Sequence, residues 1–162
     1  MISADFLPVV ETLLRLALGY RFLVSGIDSI RRWPSATRIA KLVFPVGACF
    51  FAFVGVSLVA LAGVGLTLGL QTRIAALSAA VFLLSTFKIQ FHRLKTLPAV
   101  IDAAKQGATG EEAREAVRLL GWQAVHAHDI GWQNNLILMF AALLIAIRGA
   151  TAFSLDYLFF GP

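Results

Sequence analysis

The chain has 162 residues, of which 59% are hydrophobic and 14% charged, with a mean hydropathy of +0.80. Soluble domains carry about a quarter charged residues, so the polar side chains present cannot coat a water-soluble globule of this size. The net charge of +5 comes without a basic patch interleaved with aromatics, which excludes a nucleic-acid partner and leaves the lipid bilayer as the expected one.

Four apolar segments follow one another, so the expected fold is an all-α membrane protein, a four-transmembrane-helix bundle forming one membrane domain over 1–162. Met1–Pro8 carries no positive stretch, so it does not read as a cleaved leader and the first segment should persist as a span, about 7–27. About 20 residues at 1.5 Å each cover a bilayer core of about 30 Å. The second span is expected at about 46–70, its regular helix starting near Pro45 and Gly47. The third, about 74–91, follows after only Gln71–Thr72–Arg73, which makes spans two and three antiparallel neighbours. Small residues at four-residue spacing (Ala62, Gly65, Gly69; Ala75 and Ala79; Ala76 and Ala80) predict their close approach. The fourth span is expected at about 132–153.

Residues 93–131 read as a cytoplasmic amphipathic loop. Thr109 and Glu112 have capping-box spacing, and Ala113, Ala116, Val117 and Leu120 share a face, so a short amphipathic helix is expected over Glu111–Leu120. Pro98 and the Gly107–Gly110 region should separate it from an earlier helix, Ala99–Lys105. The loops after spans one and three, with the flanking Lys88, hold ten Lys and Arg; the opposite side has only Arg73 and Arg148. That asymmetry predicts cytoplasmic long loops and both termini outside.

Charges within spans cost about 2.5–3.5 kcal/mol each near the centre, so function is sought there. Glu11 and Arg15 share a face of span one, in its outer half. Arg73 opens span three on the same side, Arg148 closes span four, and Asp156 lies just beyond. Three arginines and two carboxylates converging at the outer mouth would suit an anionic substrate or a quinone carbonyl, because guanidinium offers fixed planar donors. The plainer reading is that Glu11–Arg15 and Arg73–Asp156 are structural pairs. The inner side holds Arg21, Asp28, His92 and the Gln133–Asn134–Asn135 run, with His126, His128 and Asp129. A metal or haem on His92, His126 and His128 is not expected. On a helix His126 and His128 face different ways, and no thiolate pair supports them. The lone Cys49 excludes an internal disulfide or CxxC, and neither HExxH nor GxSxG occurs.

Leu14-Arg15-Leu16-Ala17-Leu18-Gly19 with Phe22 and Gly26, Gly63 and Gly69 with Thr72-Arg73-Ile74-Ala75-Ala76-Leu77, and Asn134-Asn135-Leu136 with Arg148-Gly149-Ala150 and Ser154-Leu155-Asp156 resemble, in order, the motifs of DoxX-like membrane proteins. The resemblance implies a multi-pass protein of a bacterial-type inner (plasma) membrane, some relatives belonging to a thiosulfate:quinone oxidoreductase. It makes a quinone the compatible cofactor, and other membrane or soluble redox subunits the compatible partners. By position it makes Arg15, Arg73 and Asp156 the family's recurring charged residues, with His92 matching a histidine near the end of span three. The resemblance implies a glutamate at the place of Val59 and another near Gln133; both lack a carboxylate here, which, if those acids carry protons in relatives, weakens proton-coupled quinone chemistry for this chain. Two functions follow: an oxidoreductase subunit with a quinone or small-anion site, or a non-catalytic scaffold docking a soluble redox protein through 93–131. A solute carrier would need the chain to assemble as a homo-oligomer.

Overall fold

Long apolar runs without breakers become helix from end to end, and the breaks fall mostly at glycines. The computed structural model describes residues 6–149 and 153–160; Met1 to Asp5, Ala150 of the ending motif and the rest of 150–152 lie outside the described residues. Among the described residues six helices follow in order: α1 (Leu7–Arg31), α2 (Trp33–Val43), α3 (Ala48–Leu68), α4 (Thr72–Gly107), α5 (Glu111–Arg148) and α6 (Leu155–Phe160). No strand occurs among the described residues.

Each expected turn has a local cause. Gly47, with φ +76°, precedes α3 just after Pro45. Gly69, with φ +66°, ends α3 in a Schellman arrangement, the Leu70 N–H reaching back to the Gly65 carbonyl at 2.9 Å. Gly110, φ +96°, sits between α4 and α5. Three helices, α3, α4 and α5, are long and apolar enough to cross a membrane; α1, with Glu11, Arg15 and Arg21, is not among them.

The region between the third and fourth expected spans differs from its sequence reading. No separate helix forms over Glu111–Leu120; those residues are the first turns of α5, and Ala99–Lys105 continues α4 through Pro98. A proline inside a helix removes one hydrogen bond and crowds one carbonyl, a local cost that 36 helical residues absorb. Only the reversal at 108–110 breaks the path, and Glu111 and Glu112 open α5 with charges that suit a helix N-terminus. Nor was α2 expected: its stretch read simply as a loop.

The chain divides into two compact units, residues 1–84 with 137–162, and residues 85–136. In the first, Leu18 and Phe22 of α1, Val59, Ala62 and Leu66 of α3, five α4 residues between Ala75 and Leu83, and Ala142 and Ile145 of α5 form one core. The closest approach is α1 on α3. A Cβ added to Gly19 would lie 2.6 Å from the Thr67 nitrogen, and one on Gly63 2.5 Å from the Leu23 nitrogen. Only glycine admits backbones that close. The expected contact between α3 and α4 also forms, Gly65 lying against Ala75. Large apolar side chains such as Phe50, Leu61, Phe140 and Ile147 face outward, the inverse of a soluble fold and the pattern lipid requires.

The second unit is a helical hairpin. Asn135 donates to Thr86 Oγ1 at 2.9 Å, Phe91 and Trp132 rings lie 6.0 Å apart, and Gly131 and Gly121 accommodate Gln90 and Ile101.

Candidate functional site

Glu11 and Arg15 stand one turn apart on α1, yet they find different partners. Arg15 turns into the bundle and is only 2% exposed. Its Nη2 donates to the Phe153 carbonyl at 2.6 Å. Its Nη1 lies against Gly69, where a Cβ would collide with it. That contact places the cation at the C-terminal end of α3, where helix dipole and free carbonyls favour positive charge. Nε and Nη1 are buried without a hydrogen-bond partner among the described residues. A buried donor left unmade costs about 1–3 kcal/mol, so two on one guanidinium form a conspicuous feature.

Glu11 instead meets the end of α5: its Oε1 is 2.6 Å from Arg148 Nη2, both side chains being partly exposed. The expected Glu11–Arg15 pair does not form, because Arg15 points to the core while Arg148 is delivered to Glu11 by tertiary packing. Asp156 does not pair with Arg73 either. Its carboxylate accepts the backbone N–H groups of Gln71 (2.6 Å) and Thr72 (2.7 Å), and its own N–H donates to the Gly69 carbonyl at 2.9 Å. A side chain 84 residues away thus caps α4. Burial alone would raise the Asp156 carboxyl. The Thr72 and Gln71 donors, with the nearby Arg15 charge, outweigh it and hold the group below its ordinary 3.8. Arg73 is exposed and lies over Gly149, whose φ of +82° ends α5; it too sits at a helix C-terminus.

All five residues expected at the outer mouth therefore belong to the first unit, around three helix ends, in pairings the sequence spacing did not suggest. Between α1 and α5 a small pocket is lined by Glu11, Leu14, Arg15, Leu144, Ile145, Arg148 and Gly149. It encloses about 10 Å³, room for roughly one water-sized oxygen. A ring would not fit inside it; a single oxygen would.

The inner-side residues divide between the two units. Arg21 is exposed, and Asp28 pairs with Arg32 at 3.0 Å on the surface. In the second unit His92, Gln133 and Asn134 are exposed, and Asn135 is used in the hairpin bond to Thr86. His126 stacks on Trp122 with ring centres 5.2 Å apart, whereas His128 Nδ1 meets the Ala124 carbonyl at 2.9 Å. Among the described residues no three His, Cys, Asp or Glu side chains could share a metal ion. Val59 is buried in the apolar core.

The sequence reading passed over two contributors. The Phe153 carbonyl belongs to the backbone and carries no residue signature. Gly69 was read as a helix-packing residue only; its position directly before a turn was the available signal for a left-handed cap that leaves space for Arg15.

Comparison with protein families gives a match to DoxX over residues 10–93, just over half the chain. The matched stretch takes in the opening and junction motifs and excludes the ending ones. No curated protein and no solved structure matches the chain.

Proposed function

The chain belongs to the DoxX family, and we propose that it serves as an integral membrane subunit of an oxidoreductase system. In this reading Arg15 holds one oxygen of a quinone-like or small anionic ligand at the outer side of the bundle. The supporting observation is the pair of buried Arg15 donors without partners, Nε and Nη1, on a residue that also lines a pocket sized for one oxygen. A quinone would present a carbonyl there and keep its ring and tail in lipid; thiosulfate would present one terminal oxygen. The Phe153 carbonyl and the space left by Gly69 hold the guanidinium, with the Asp156 charge nearby, while the Glu11–Arg148 pair closes the rim.

The topology belongs to the same proposal. α1, the first span in chain order, brings the number of spans to four: its 25 residues exceed the roughly 20 needed. Two of its charges are tolerable because Arg15 is buried among protein groups and Glu11 is paired. With ten Lys and Arg on one side, both termini face outward and the long connections face the cytoplasm of a bacterial-type inner membrane.

Arg15→Gln tests the site. Purified protein is titrated with decyl-ubiquinone and, separately, with thiosulfate, and thermal unfolding is followed. Wild type should be stabilised by one of them and Arg15→Gln by neither, with membrane insertion unchanged. Equal stabilisation of both proteins, or none of wild type, refutes the site.

A second reading, a scaffold docking a soluble redox protein, is favoured by the separate compactness of residues 85–136 and by exposed Leu119, Leu120 and Trp122. Leu119→Glu with Trp122→Glu should abolish co-purification of such a partner while leaving ligand stabilisation intact.

A further inference from the structure

A different part of the first unit gathers exposed basic residues with few acidic partners. α2 has one half-buried side, with Trp33, Ala36, Thr37 and Ala40, and one exposed side, with Pro34, Ser35, Arg38 and Lys41. It contains no acid, and no Asp or Glu occurs anywhere between Asp28 and Asp102. Arg31 and Arg32 at the end of α1 are exposed as well. Among the described residues the only ion pair in this group is Arg32 with Asp28, so Arg31, Arg38 and Lys41 keep their charge uncompensated.

The lengths place this cluster at a defined depth. α3 begins at Ala48 and has 21 residues, about 31 Å at 1.5 Å each, which matches a hydrocarbon core of about 30 Å with almost nothing to spare. Whatever precedes Ala48 therefore lies at headgroup level. Phe44, stacked on Phe51 with centres 3.9 Å apart, and the exposed Phe50 mark that boundary. α2 packs on α3 and touches α1, so its exposed cations sit at the same level with an aromatic step beside them toward the acyl chains.

We infer that the α2 surface, with Arg31, Arg38 and Lys41 above Phe44 and Phe50, binds the headgroup of an anionic phospholipid. Charge complementarity identifies the occupant: a phosphodiester with no compensating cation meets the guanidinium and ammonium groups, and its chains run down past the phenylalanines. A zwitterionic lipid carries its own cation and gains less from the same groups.

The test uses the full chain in neutral detergent, titrated with phosphatidylglycerol or phosphatidylcholine and followed by thermal unfolding. Wild type should be stabilised by phosphatidylglycerol at much lower mole fraction than by phosphatidylcholine, and the difference should shrink in high salt. Arg38→Gln with Lys41→Gln should raise the phosphatidylglycerol needed by about 30-fold, from about 1 kcal/mol per basic residue at an anionic surface. Arg114→Gln with Arg118→Gln removes the same net charge from the other unit and should leave the response at the wild-type value. An equal loss in both double variants would reduce the effect to net charge and overturn the site. So would equal responses to the two lipids, or a wild-type stabilisation reproduced by inorganic phosphate alone. Should the first double variant fail to fold, Arg38→Lys with Lys41→Arg takes its place in a graded series with the single neutral variants. An unchanged response across those singles also overturns it.

Discussion

Gly63→Ala is the sharpest probe of how this fold is held. The added Cβ would stand 2.5 Å from the Leu23 nitrogen, 2.7 Å from its Cα and 2.9 Å from the Phe22 carbonyl carbon. Ordinary contact begins at 3.4 Å, so the first helix must retreat by about 0.9 Å. All three atoms are backbone, and no rotamer change relieves them. Overpacking of this kind costs about 1–3 kcal/mol, with the upper half expected against backbone. Alanine returns up to about 1 kcal/mol through helix propensity, leaving a net loss of about 1–2 kcal/mol. Gly55→Ala is the matched control in the same helix, because its Cβ would come no nearer than 3.9 Å to Phe82. It keeps the propensity gain without the collision and should be neutral or slightly stabilised. Reversible unfolding in mixed micelles, followed by helical ellipticity, compares the two. Gly63→Ala as stable as wild type, or no less stable than Gly55→Ala, would refute the idea that glycine-mediated approach of α1 to α3 organises the unit.

Four further outcomes concern the polar contacts. Asp156→Ala removes the acceptor for the Gln71 and Thr72 N–H groups and should cost about 1–2 kcal/mol of stability, as loss of a strong helix cap does. In wild type the Asp156 carboxyl lies below its ordinary 3.8. Its stabilisation is therefore fully present above that value and lost as pH falls through the lower, folded-state value; Asp156→Asn should flatten that part of an acid-stability profile. A double-mutant cycle on Glu11 and Arg148, partly exposed at 49% and 21% in the order Arg148, Glu11, should return about 0.2–1 kcal/mol and diminish with salt. The corresponding cycle on Thr86 and Asn135 should return about 0.6 kcal/mol, typical of hydrogen bonds between helices in lipid. A coupling near zero would show that the hairpin stands on apolar and aromatic contacts alone.

Patterning alone determined that this is a helical membrane protein, because hydropathy and charge count are summed along the chain and need no partner. Turns near Gly47 and Gly110 were legible for the same reason: glycine's freedom at positive φ is a local property. Arg15, Glu11, Arg73, Arg148 and Asp156 were legible as a set, since charged residues near span ends are few. Their pairing was not. Residues 11 and 15 share a helix face by spacing, but whether that face meets α3, α5 or lipid depends on how helices distant in sequence dock. Docking is decided by Gly19 and Gly63, whose missing side chains show nothing until two backbones are seen to touch. Tertiary structure alone therefore gave Glu11 to Arg148, gave Asp156 to the start of α4, and left two Arg15 donors buried and open. It also turned a basic connecting stretch into α2, since an 11-residue helix is marginal by itself and persists here through its contacts with α3.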